Sequence, residues 1–174
     1  MIKNVKWFFV VLVFSSLISF SFQKKSVPTE KLALGDKAPE LVLCNEMQPL
    51  NLQDASGNYT LLSFWASYDA SSRAQNAALG HLLKNQDQVK MISISFDRYR
   101  SVFNAAVRQD QIDTASCHLE MEGENSKIFK SYGLESGFRN FLLNSEGVIV
   151  AKNVTASELA SYLIDGKFLD VEEN

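Results

Sequence analysis

The chain has 174 residues, 17 basic and 20 acidic side chains, a formal net charge of −3, two cysteines and two histidines. That length suits one domain behind a leader and is too short for two. A mildly acidic chain without a basic cluster is a poor match to nucleic acid, because phosphate neutralisation needs grouped Lys and Arg. Cys44 and Cys117 stand 73 positions apart, which excludes a zinc site built on paired Cys/His spacings. No motif calls for a metal or a cofactor.

Residues 1–21 read as a signal peptide. Lys3 and Lys6 form a positive start, Trp7 to Phe14 with Leu17 and Ile18 an apolar middle, and Ser19 and Ser21 the small residues at a cleavage site. The other reading is an uncleaved anchor, but Trp7 to Phe22 as a helix would span about 24 Å against roughly 30 Å of hydrocarbon. Export to the periplasm or medium is the expectation, with membrane attachment only if the leader is retained. Cleavage removes two lysines and takes the formal charge to −5. No cysteine precedes Cys44, which excludes a lipoprotein anchor.

Residues 22–38 are polar, lack an apolar period and read as a linker; residues 39–166 carry the folded domain, and 167–174 form an acidic tail. Within the domain, Leu41–Leu43 and Leu50–Leu52 suggest an N-terminal hairpin around Asn45–Pro49. A turn over Asp54–Asn58 leads into the apolar strand Tyr59–Ala66. Asp69–Asn85 is rich in good helix formers. Val89–Phe96 is a second buried strand, and residues 101–109 place Val102, Phe103, Ala106 and Val107 on one helical face. A short strand over 115–120 precedes a helical turn over Ser126–Tyr132, stopped by Gly133. Phe141–Leu143 and Val148–Val150 flank an Asn144–Gly147 turn. Thr155-Ala156-Ser157-Glu158 is a capping box that opens a last helix, ended by Gly166. This order predicts an α/β domain with a central mixed β-sheet, helices on both faces and an N-terminal β-hairpin extension.

The segment Leu61–Arg73, LLSFWASYDASSR, resembles the active-site segment of the thioredoxin superfamily, in its exported thiol-disulfide interchange and peroxiredoxin-related branch. LGDKAP (34–39), LNLQDASGNYTLLSFWAS (50–67), ISISFD (92–97) and YGLESGFRNFLLNSEGVIV (132–150) are similar to further segments of that family, in the same order. The resemblance implies a thioredoxin-like fold and, in active members, two cysteines at the start of the first long helix. There the helix N-terminus lowers the pKa of the attacking thiol, and the second thiol resolves the mixed disulfide. Here those positions fall on Asp69 and Ser72. The family's cis-proline falls on Phe138, and all three prolines, Pro28, Pro39 and Pro49, lie before residue 50. The helix-kinking proline falls on Ala77. A carboxylate and a hydroxyl cannot form a disulfide, so the resemblance carries the fold without dithiol chemistry.

The candidate site residues are therefore binding rather than catalytic. Asp69 reads first as an N-cap accepting from backbone N–H groups, and otherwise as an anionic contact. Arg73 and Arg139 are expected to flank it, as a solvated ion pair or as an anion site. Trp65, Tyr68 and Phe138 are expected to cluster around the same helix start, with Phe138 either filling the old groove or offering an apolar contact. Cys44 and Cys117, each on a short predicted strand, read as two isolated buried thiols. A disulfide between them would require Cα atoms within about 7 Å. The leading expectation is an exported, redox-inactive domain that binds an envelope protein or peptide through the degenerate site. The alternative is a thiol-disulfide oxidoreductase using Cys44 and Cys117.

Overall fold

The computed structural model describes residues 32–44, 48–53 and 58–165. The leader, most of the linker, residues 54–57 of the expected Asp54–Asn58 turn, Gly166 and the acidic tail lie outside the described residues. Strands β1 (Tyr59–Trp65), β2 (Val89–Ser95), β3 (Cys117–Leu119), β4 (Asn140–Leu143) and β5 (Ile149–Lys152) form one sheet in the order β3-β2-β1-β4-β5. β1 runs parallel to β2, with Leu62 beside Ile92, and antiparallel to β4, with Leu62 beside Phe141. β2 and β3 are parallel; β4 and β5 are antiparallel. The expected mixed sheet is borne out.

Alternation along β1 sorts its side chains between two cores. On one face Leu61 packs with Leu79 and Leu83 of helix α1 (Ala70–Leu83), with Leu142, and with Leu159 of helix α4 (Ala156–Asp165). Further along that face Trp65 packs with Phe103, Ala106 and Val107 of helix α2 (Arg100–Gln109) and with Leu119. On the opposite face Leu62, Phe64, Ile94 and Phe141 meet Ile128, Phe129 and Tyr132 on and beside the short helix α3 (Lys127–Ser131), together with Leu41 and Leu43. Each fully buried Leu, Ile, Val or Phe among them contributes about 1.5–3 kcal/mol. Helices thus cover both faces.

The local signals mostly hold. The capping box forms as written: the Thr155 N–H donates to Glu158 Oε2 at 2.8 Å, and the Glu158 N–H to Thr155 Oγ1 at 3.3 Å. Gly133 takes φ 64°, the left-handed conformation that ends α3. Ser126 caps the same helix by accepting from the Ile128 N–H at 3.1 Å.

Of the expected N-terminal hairpin, the described residues show one antiparallel bridge, in which Leu50 N–H donates to the Leu41 carbonyl at 2.8 Å, and residues 45–47 lie outside them. Two expectations are corrected. Residues 35–38, read as the end of a linker, hydrogen-bond along β5: Gly35 N–H to Ile149 O, Ile149 N–H to Asp36 O and Ala38 N–H to Gly147 O, each 2.9 Å. That docking pairs an edge strand that would otherwise present open backbone groups. Val102 stands apart from Phe103, Ala106 and Val107 and is exposed, because the core-facing stripe of α2 is narrower than the apolar run.

Candidate functional site

The parallel strands β1, β2 and β3 end together, and the loops that follow them meet the segment entering β4. This is the edge of an α/β sheet where binding groups collect, because several loops converge on a rigid base. Residues 66–69 follow β1, 96–99 follow β2, 120–125 follow β3, and 133–139 lead into β4. The backbone ladder continues into these loops, with Phe64 N–H donating to Arg139 O at 3.0 Å and Phe96 N–H to Trp65 O at 2.9 Å.

Asp69 is the N-cap of α1. Its Oδ1 accepts from the Ser72 N–H at 2.7 Å, and the Ser72 hydroxyl donates to the Asp69 carbonyl at 3.3 Å. The two positions to which the resemblance assigns cysteines are therefore bonded to each other as a helix cap. Ser72 is buried beneath the first turn.

Arg73 does not reach back to Asp69. Its Nε and Nη2 donate to the two carboxylate oxygens of Asp110, each at 2.7 Å, and Nη2 also donates to Gln109 Oε1 at 3.0 Å. The expected pairing of Arg73 with Asp69 is thus replaced by a bidentate clamp between α1 and the end of α2. That hydrogen bonding holds the guanidinium above its ordinary pKa. Arg139 is half-buried and follows Phe138 into β4.

The aromatic expectation divides. Tyr68 and Phe138 meet, with ring centroids 6.2 Å apart. Trp65 does not join them. It is fully buried on the opposite sheet face, where its Nε1 donates to Ser93 Oγ at 2.8 Å and Ser93 Oγ donates to Asn76 Oδ1 at 2.9 Å. Strand alternation sends Trp65 toward α1 and α2, and Phe138 lies against the other core.

Phe138 stacks on Phe96 at 5.7 Å and meets Phe129 edge-on at 6.2 Å. It is half-buried and forms one wall of a groove of about 360 Å³ that also contains Tyr68, Asp69, Phe129, Leu134 and Gly137. It therefore both fills space beneath the groove and shows an edge within it. There is no cis peptide bond among the described residues.

Neither cysteine is in a disulfide, so the candidate Cys44–Cys117 bridge is not formed. Cys117 lies on β3 and is half-buried; Cys44 lies outside any strand and is exposed, not buried as expected. Burial pushes both thiols up, with Glu120 and Glu122 adding to the effect at Cys44 and Asp113 at Cys117. Neither is poised as a thiolate.

Two buried carboxylates shape the loops and carry no sequence signal beyond their place after a strand. Asp97 Oδ1 accepts from the Ser67 N–H at 3.0 Å and the Ser67 hydroxyl at 2.6 Å, and its Oδ2 from the Ser95 hydroxyl at 2.8 Å. Glu120 accepts from the Glu122 N–H at 3.0 Å and the Cys44 N–H at 3.1 Å. Asp97 thus ties the β1 loop to the β2 loop, and Glu120 ties the β3 loop to the N-terminal segment. Beside them, Tyr68 is pushed up by partial burial and by the carboxylates of Asp97, Glu124 and Asp69. No group of metal-ligating side chains exists among the described residues, and no helix among them is long and apolar enough to cross a membrane.

No protein-family model and no curated protein matches the chain. Solved structures do. A thioredoxin-like protein from Parabacteroides distasonis ATCC 8503 is 40% identical, with 76% of this chain and 95% of that one covered and a TM-score of 0.69. A thiol-disulfide oxidoreductase from Bacteroides fragilis is 27% identical over 76% of this chain and 100% of its own, with a TM-score of 0.61. A thiol:disulfide interchange protein from Bacteroides sp. is 22% identical over 82% and 95%, TM-score 0.63, a likeness of fold alone.

Proposed function

The chain belongs to the thioredoxin-like superfamily, and from that premise we propose that it is an exported, redox-inactive binding domain whose partner is a protein or peptide docked at the degenerate active-site surface. The observation that carries this reading is the Asp69–Ser72 cap. Disulfide exchange needs a thiolate at the helix N-terminus and a second thiol one turn along. Here a carboxylate and a hydroxyl stand at the helix start, the carboxylate accepting from the Ser72 backbone N–H and the hydroxyl donating to the Asp69 backbone carbonyl.

Two further features support it. Cys44 and Cys117 have raised pKa values, so neither is a ready nucleophile. Tyr68 projects from the β1 loop with 69% of its surface exposed, beside a partly open Phe138; an exposed aromatic of this kind is a common anchor at protein contacts. Export rests on the leader pattern of residues 1–21.

Insulin reduction by the purified full chain tests the redox half, with an active thioredoxin as reference. The expected result is no turnover above the uncatalysed rate. Turnover that disappears in Cys44→Ser or Cys117→Ser would overturn the reading and establish an oxidoreductase with a relocated thiol.

A further inference from the structure

A second, larger cleft shares Tyr68 and Glu124 with the Phe138 groove. It has a volume of about 750 Å³ and is bounded by the loops after β1, β2 and β3. Four large side chains that would ordinarily be covered stand exposed around it: Tyr68 at 69%, Tyr99 at 62%, Val102 at 42% and Met121 at 40%. They come from three separate loops and one helix start, yet they converge. Scattered exposed apolar residues need no explanation; a contiguous set around a concavity marks a contact surface.

The charge around these side chains selects the occupant. Glu122 and Glu124 are exposed on the β3 loop, and Arg98 is the single cation among the residues lining the cleft. Arg98 lies against Tyr99, its guanidinium carbon 6.0 Å from the ring centroid, so that ring face already accepts a cation. Partial burial raises the Tyr68 pKa most, and the nearby carboxylates of Asp97, Glu124 and Asp69 raise it further, so negative charge gathers at the rim. An anionic peptide, a phosphate backbone and an anionic lipid surface are all repelled here. A second copy joined by two-fold symmetry would set Glu122 and Glu124 against themselves.

We propose that this cleft docks a cationic peptide segment of a partner protein. A Lys or Arg stem lies across Tyr68 and Tyr99, its charged head meets Glu122 and Glu124, and a neighbouring apolar residue covers Val102 and Met121. The inference rests on the proposed binding function and names the class of its partner.

The test is an amide-shift titration of the isotope-labelled full chain with three decapeptides of equal Leu and Trp content. One carries Lys and Arg, one Ser and Gln, and one Asp and Glu. The expected result is saturable shifts at Tyr68, Tyr99, Val102 and Gly123 with the cationic peptide alone, weakening as salt is raised through about 0.15 M. Glu122→Gln with Glu124→Gln should weaken it by about tenfold, since both carboxylates lie on the surface and their removal disturbs no buried contact. If the neutral peptide binds the same amides as tightly, the cationic assignment falls while the binding reading stands. Shifts centred instead on Asp69, Gly137 and Phe138 overturn the cleft while the binding reading stands; shifts away from both surfaces, or none with any peptide at millimolar concentration, overturn both.

Discussion

The carboxylate of Asp69 and the backbone N–H of Ser72 lie 2.7 Å apart at the first turn of α1. The contact satisfies one of the orphan donors of the helix and places a negative charge at the positive end of its dipole. Asp69→Ala should therefore lower unfolding free energy by about 1 kcal/mol, within a range of about 0.5–2, and Asp69→Ser by only a few tenths. Urea denaturation of the three chains measures the difference. Equal stability of all three would mean that the carboxylate is held for contact with a partner and not for the helix.

The Arg73–Asp110 clamp spans 37 residues and joins two helices. Both oxygens of Asp110 are engaged, and the two side chains keep only 25% and 14% of their surface. A bidentate pair with that geometry belongs at the upper end of surface ion pairs, about 1 kcal/mol of coupling. A double-mutant cycle with Arg73→Ala and Asp110→Ala should return that value at low salt and less at 0.5 M NaCl. Peptide binding at Tyr68 should stay unchanged in both single variants, since neither residue lines the groove or the cleft.

What could be read from the residues follows the range of the interaction. The Asp69 cap and the Thr155–Glu158 box involve partners three positions apart, and both were legible. The partner of Arg73 sits on another helix, so nearness in sequence to Asp69 misled. Alternation from Leu61 groups Trp65 with Ser63, but which helices cover that face depends on topology. Asn76 looks like an ordinary polar position in mid-helix, yet it is fully buried, and its amide nitrogen has no hydrogen-bond partner. The cleft at Tyr68, Tyr99, Val102 and Met121 is built from three loops and a helix start and has no local pattern at all. Val102 even matched the wrong expectation, as part of the core face of α2.

Phe138 stacks on Phe96 and closes edge-on against Phe129. Phe138→Ala should destabilise the domain by about 1–3 kcal/mol, below the usual cost of a fully buried Phe because this ring is only half-covered. The lost ring widens the groove beside it, and binding of an apolar dye there should rise. Thermal unfolding and dye fluorescence check the two halves separately.

The thiols give a kinetic signature. Because burial raises both, alkylation rates should climb with midpoints above that of a free cysteine. Cys44, which is exposed, should label in the native chain; Cys117, half-buried on β3, should label mainly after denaturation. Glu120→Gln removes the carboxylate that accepts the Cys44 N–H and opposes its thiolate, so the Cys44 midpoint should fall toward the ordinary value. An iodoacetamide pH–rate series with mass-spectrometric readout resolves the two sites.

The capping box sets a pH dependence whose sign can be worked out. Hydrogen bonds from the Thr155 N–H and hydroxyl hold the Glu158 carboxyl below its ordinary pKa, so the folded state binds that proton more weakly than the unfolded one does. Its stabilisation is complete above the unfolded Glu pKa and is lost as pH falls through the lower, folded value. Between neutral pH and about 5.5 the start of α4 should not respond, since an ordinary Glu is already ionised there. Carboxyl-carbon NMR should place the Glu158 midpoint below that of a Glu in an unstructured peptide, and the Thr155 amide proton should shift with the same midpoint. Thr155→Val removes the hydroxyl donor and keeps the backbone one, so the midpoint should move part of the way back. A Glu158 midpoint at the ordinary value in the unaltered chain would mean that the box is open in solution.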